Sequence, residues 1–166
     1  MIKVFDSERI DYVKVDPNLV NDYLNMINDK EIQCFIGLKD ITVSFDQEMS
    51  WIKEKMEDGS NTFSMIEKSN NEFIGNIEIM NIENNIGELG ICITKNKCDK
   101  HFGTEAIKRF LDYAYNELKL DGIYLNVHKD NQRAIKCYEN CGFKITGEGK
   151  RPSDYHMTHI KEKEND

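Results

Sequence analysis

The sequence predicts an α/β (α+β) protein with one mixed, mostly antiparallel central sheet flanked by about four helices. Three observations carry this. Strand-like and helix-like apolar periods alternate in the order strand, two helices, three strands, helix, strand, helix, strands. The pairs Asn70-Asn71 and Asn84-Asn85 break the three-strand run as hairpins do. No repeat, low-complexity segment or Pro/Gly/Ser linker divides the 166 residues, which read as one domain ending in an acidic tail from about Lys161.

Residues 9–15 read as the first strand. Asp16 then caps a helix with Pro17 in its first turn, and Val20, Tyr23, Leu24 and Ile27 form its apolar stripe. Ser44 and Gln47 make a capping-box pair before a second helix, with Phe45, Met49, Ile52 and Met56 on one side and Gly59 as its stop. The three strands are expected at 62–67, 72–80 and 86–94. The clearest helix spans 104–118, where Ala106, Ile107, Phe110, Leu111, Ala114 and Leu118 repeat at the helical period. A strand at 123–128, a helix beginning near Asn131 and closing strands at 143–147 and 155–161 complete the chain.

An apolar share of 39% and a charged share of 31% are those of a soluble globular protein, and no run is apolar enough to span a membrane. With no signal-peptide pattern at the N-terminus, the expected location is the cytoplasm. A net charge of −8 argues against a nucleic-acid partner, since no basic surplus is there to neutralise phosphates, and is compatible with a cationic one. The five cysteines are scattered and odd in number, as free thiols in a reducing compartment are. Cys137 and Cys141 share a helical face, but no His or second Cys pair accompanies them, so no metal is expected. The four histidines have no ligand spacing.

Three features carry the chemistry. Gly90 interrupts a strand that is otherwise continuous, which marks a bulge or a close approach by a ligand or another backbone. The loop after that strand ends in Gly103-Thr104 at a helix start, where unpaired N–H groups and the helix dipole suit a phosphate. In DNQRAIKCYENCGF, Asn131, Ala134 and Tyr138 lie on one helical face. Taken alone, Tyr138 reads more often as a packing residue, Asn131 reads also as a helix cap, and Glu78 reads equally as a solvated strand-face carboxylate.

This order, with FIGNIEI, GELGICI, GTEAI and NQRAIKCYENCGF, resembles the GNAT superfamily of acetyl-CoA-dependent N-acetyltransferases over about 9–149. It is most similar to the branch of ribosomal-protein N-terminal acetyltransferases and their small-amine relatives. The resemblance implies that acetyl-CoA is the cosubstrate, with no metal. Its pantetheine arm would lie along Ile91, Cys92 and Ile93, with Asn131 and Ala134 opposite. Its pyrophosphate would rest on Lys100, His101, Phe102, Gly103 and Thr104. Tyr138 would protonate the departing thiolate. Amines are mostly charged at neutral pH, so a base is needed; Glu78 is the first candidate and Glu88 the second. The N–H of Ile91 or Cys92 would polarise the carbonyl.

The phosphate loop departs from the family's Q/R-x-x-G-x-G/A pattern. It reads Cys98-Asp99-Lys100-His101-Phe102-Gly103, with His101 where the first glycine stands and Asp99 bringing an acidic charge partly offset by Lys100. The expected partners are acetyl-CoA, a cationic primary amine (a protein N-terminus, a polyamine or an aminoglycoside-like amine) and a second copy in a homodimer. A non-catalytic acyl-CoA-binding module and a globular interaction protein sharing the fold are the competing functions.

Overall fold

The computed structural model describes residues 1–36, 38 and 40–161. The acidic tail, 162–166, lies outside the described residues. Eight strands, β1 (Lys3–Asp6), β2 (Ile10–Lys14), β3 (Asn61–Glu67), β4 (Phe73–Glu83), β5 (Ile86–Ile93), β6 (Gly122–His128), β7 (Lys144–Glu148) and β8 (Asp154–Ile160), form one sheet in the order β1-β2-β3-β4-β5-β6-β8-β7. Every neighbouring pair is antiparallel except β5 and β6. Five helices accompany the sheet: α1 (Val20–Ile27), α2 (Lys30–Ile36), α3 (Phe45–Glu57), α4 (Phe102–Asn116) and α5 (Gln132–Asn140). The mixed sheet is as predicted, with one helix and one short strand more.

The additions, β1 and α2, are too short for periodicity to declare them. Asp29 starts α2 by accepting the N–H groups of Glu31 and Ile32 at 3.0 Å each. The buried amide of Gln33 then donates to the carbonyls of Ile27 at 2.8 Å and Ile41 at 2.6 Å, tying α1 to the segment after α2. The segment after Asp16 begins as a 3-10 turn, Pro17–Leu19, before α1 proper, with Asp16 accepting from Asn18.

The Ser44–Gln47 capping box opens α3 as expected, and Gly59 follows its end at φ +65°. The buried face of α3 differs from the expected stripe. Phe45 and Met56 are exposed, whereas Ile52 and Glu48 are buried. The edge contact of Trp51 with Tyr23 of α1, at 5.6 Å between ring centroids, fixes this rotation. Asn84 and Asn85 both take positive φ, 52° and 61°, as a tight hairpin twisted with its strands requires.

Burial divides across the sheet. One face packs Phe63, Met65, Ile77 and Leu89 under the α4 stripe of Phe102, Ala106, Ile107, Phe110 and Ala114. Burying each large apolar side chain of this kind contributes roughly 1.5–3 kcal/mol. The other face packs Val13, Val15, Ile66 and Phe73 against Tyr23, Met26 and Ile52 of α1 and α3.

Candidate active site

The site arises where two strands part. Parallel pairing of β5 with β6 covers only Ile86–Glu88 against Gly122–Tyr124; beyond it β6 stays with β8. On its other side β5 remains paired to β4 as far as Ile93, and Thr94 N–H donates to Ile74 C=O at 2.8 Å. Antiparallel pairing alternates inward and outward polar groups. With Thr94 facing β4, Cys92 and Gly90 also face β4; Leu89 N–H closes the last parallel bond to β6, and Ile91 and Ile93 turn their N–H and C=O groups into the gap. Of the two expected carbonyl donors, Ile91 is therefore available and Cys92 is committed to the sheet.

On the face toward α1 and α3, the strands align Thr62, Glu78 and Gly90 in one cross-strand row, and Ser64, Asn76 and Cys92 in the next. Thr62 donates to Glu78 Oε2 at 3.0 Å, and a Tyr23–Ser64–Asn76 hydroxyl–amide chain runs beside it. A β-carbon at Gly90 would stand 3.2 Å from Glu78 Oε1 and 3.1 Å from Met80 Cε. The glycine thus makes room for a carboxylate. Glu88 is held by Asn81 at 2.9 Å, Asn126 at 3.2 Å and Tyr124 at 3.4 Å.

Over the gap stands α5. Asn131 is its N-cap and accepts the N–H of Ala134 at 3.3 Å, which leaves its amide NH₂ facing the cleft. The Gly-Phe that ends the motif closes the helix as a Schellman motif: Gly142, at φ +94°, donates to Glu139, and Phe143 donates to Tyr138 C=O, each at 3.0 Å. The Phe143 ring meets Tyr138 edge-on at 6.0 Å. Tyr138 is thereby fixed through both backbone and ring. No protein group among the described residues bonds its hydroxyl. Burial, with the thiols of Cys137, Cys92 and Cys141 as neighbours, pushes its phenol well above the ordinary value, so it stays an O–H donor. Burial likewise pushes the Cys92 thiol up to about 12, which removes it as a nucleophile.

Two cavities meet at Ile91, Cys92, Asn131 and Tyr138. The first, of ≈ 570 Å³, runs over Ile93, His101, Phe102, Gly103, Thr104 and Ala134. The first bond within α4 is Glu105 N–H to His101 C=O at 3.3 Å, and no side chain caps the helix. The amides of Phe102, Gly103 and Thr104 are therefore unpartnered beside this cavity, which is the donor arrangement an anion needs. Cys137 also lines it; a hydrogen bond from Cys141 lowers its thiol, against the opposing effect of burial. The second cavity, of ≈ 680 Å³, contains Glu78 and Glu88 together with Tyr23, Trp51, Asn76 and Glu48.

Most of the residues expected in the site converge on these cavities, with two corrections in the loop. Lys100 lines neither cavity: it is exposed and accepts from Arg9 through its carbonyl, at 3.0 Å. The charge of Asp99 is offset by Arg133 at 2.6 Å and not by Lys100. His101 adopts the left-handed conformation at φ 64° and ψ 15°, as a residue standing in a glycine position must. Sequence reasoning missed Glu105 and Glu48. Glu105 accepts from Ser7, from the Arg9 amide and from the Arg9 guanidinium at 2.8 Å, and so holds β1 and β2 to the start of α4. Burial opposes its ionisation, but these hydrogen bonds outweigh that and keep its carboxyl below the usual range. A glutamate between apolar helix positions was the available signal for Glu48. Among the described residues no cluster of His, Cys, Asp or Glu is arranged for a metal, and no helix is long and apolar enough to cross a membrane.

Comparison with known proteins gives the family and the fold. The profile of the acetyltransferase (GNAT) domain family matches residues 9–144. The spermidine N(1)-acetyltransferase of Vibrio cholerae is 29% identical over 121 residues, 72% of this chain and 69% of that protein. Two solved structures share the fold. One is a GNAT-family acetyltransferase from Bacillus anthracis, with TM-score 0.83 and 18% identity over 96% of this chain and 98% of that one. The other is the Vibrio cholerae spermidine N-acetyltransferase in complex with CoA and spermine, with TM-score 0.82 and 24% identity over 93% and 96%.

Proposed function

The chain belongs to the acetyltransferase (GNAT) domain family, and from that premise we propose that it moves the acetyl group of acetyl-CoA to a primary amine of a small cationic acceptor. It is an acetyl-CoA-dependent N-acetyltransferase; the acceptor class and the residue roles are our reading. The observation that carries them is the parting of β5 from β6. It sets an open strand edge, two carboxylates and the Tyr138 hydroxyl around the junction of two cavities.

The amides of 102–104 and the open edge at Ile91 and Ile93 fit a pyrophosphate and a pantetheine arm respectively. The Ile91 N–H polarises the thioester carbonyl, Glu78 takes the proton of the attacking ammonium, directly or through water, and Tyr138 gives its proton to the thiolate. Glu88, already surrounded by three donors, serves better as a fixed negative charge than as a base. A cationic acceptor suits the acidic floor, and the named relatives include spermidine acetyltransferases.

Thiol release from acetyl-CoA, measured across a panel of cationic, neutral and anionic amines beside calorimetric acetyl-CoA binding, tests the reading. Release is expected with cationic amines first. Binding without release for any amine is what a non-catalytic CoA-binding module would give. Glu78→Gln is expected to lower turnover roughly a hundredfold at pH 7 and less at pH 9, where more acceptor is already neutral. A uniform loss across pH, or none, would take the base role from Glu78.

The left-handed conformation of His101 carries a strain of about 1 kcal/mol that acts on folding. His101→Gly is expected to raise the melting temperature by about 2–4 °C at most, with acetyl-CoA affinity changed less than twofold. Weaker binding by the variant would instead make the imidazole a phosphate donor.

A further inference from the structure

Glu48 is the anomaly of the acceptor-side cavity. It stands one turn into α3, behind the Ser44–Gln47 capping box that fixes the start of that helix, and is only 8% exposed. Among the described residues nothing bonds or pairs with its carboxylate. Its neighbours in the cavity are all engaged: Glu88 by three donors, Glu78 by Thr62, and Arg151 by the buried Asp154 at 2.9 and 3.1 Å. The Glu48 oxygens are not fully enclosed, but a carboxylate this far desolvated is normally paired. Burial accordingly raises its carboxyl above the ordinary range.

Glu48 does open onto space. It lines the ≈ 680 Å³ cavity from the helical wall, whereas Glu78 and Glu88 line it from the sheet. Besides these three carboxylates, the charged or titratable residues among the described lining are Arg151, already paired, His128, Tyr23, Cys92 and Tyr138. The lining near α1 and α3 is mostly apolar, with Met26, Ile27, Val43 and Trp51 beside Tyr23 and Gln47. A missing cation, reached across an apolar stretch from the reacting centre, describes an acceptor with two separated ammonium groups joined by methylenes.

We propose that Glu48 is the binding residue for a second ammonium of the acceptor, so that diamines and polyamines are preferred over monoamines. This rests on the N-acetyltransferase reading above. One amine is presented at Glu78 and Tyr138, and the trailing ammonium donates to Glu48, giving the buried carboxylate the partner it lacks. A monoamine of the same length fills the apolar wall and leaves Glu48 alone.

The test compares 1,4-diaminobutane with n-butylamine as acceptors for wild type and Glu48→Gln, which keeps shape and removes charge. Glu48→Gln is expected to cut the ratio of kcat/KM values, diamine over monoamine, by roughly ten- to a hundredfold, with the change in KM. An unchanged ratio, or a fall in kcat shared by both amines, overturns the proposal. Calorimetric titration of spermidine in the presence of CoA provides a readout without turnover. If wild type acetylates neither amine, the transfer reading fails, and this titration decides the proposal alone. Spermidine binding weakened about tenfold or more by Glu48→Gln upholds it; equal binding by both proteins, or none, overturns it.

Discussion

Tyr138→Phe is expected to bind acetyl-CoA as wild type does and to turn over roughly ten- to a thousandfold more slowly, the span of a lost general acid. The substitution is a clean probe because the hydroxyl bonds no protein group, so nothing is left unsatisfied when it goes. The interactions that place the residue survive: Phe143 N–H still donates to the backbone carbonyl at 138, and the edge contact of the two rings is retained. Thermal stability should therefore change little. Because burial raises the phenol above its ordinary value of 10, the wild-type rate should show no alkaline loss from this group below about pH 10. Single-turnover rates with saturating acetyl-CoA measure the effect. Equal rates for wild type and variant, with chemistry shown to be limiting, would remove Tyr138 from the mechanism.

Gly75→Ala is expected to destabilise the fold by about 3 kcal/mol or more, at the upper end for steric insertion into a packed interior. A β-carbon at Gly75 would lie 2.0 Å from the carbonyl oxygen of Cys92, and the neighbouring backbone of Ile93 is 3.0 Å away. Both contacts are to a paired strand, which has no rotamer by which to yield. Gly75 also follows the irregularity where Met65 pairs with Gly75 but Ile66 with Phe73, so the chain there is already displaced. Relief requires β5 to move away from β4, and β5 carries the open edge of the cleft. Loss of soluble protein or a large fall in melting temperature, accompanied by loss of acetyl-CoA binding in whatever folds, is the expected result. A variant as stable as wild type would show that the β4–β5 spacing is not fixed by this contact.

The amino-acid sequence by itself determined whatever depends on a few adjacent residues. The capping box at Ser44 and Gln47, the paired left-handed asparagines at 84 and 85, the apolar stripe of α4, and the Asn131–Tyr138–Gly142 spacing are all of this kind. In each, the signal lies within one or two turns, where backbone sterics and local hydrogen bonds decide the outcome. The rest was decided by which surfaces meet. Apolar burial has no direction, so the pattern of α3 admitted two rotations. Packing of Trp51 on Tyr23 chose the one that exposes Phe45 and Met56 and buries Glu48. Arg133 reaches Asp99 from an element 34 positions away, and Lys100, adjacent in sequence, does not take part in that pairing. The cleft exists because β5 and β6, joined through the whole of α4, pair over three residues and then separate. That separation is set by competition between long-range strand partners, each pairing depending on the rest of the sheet, and no local spacing encodes it.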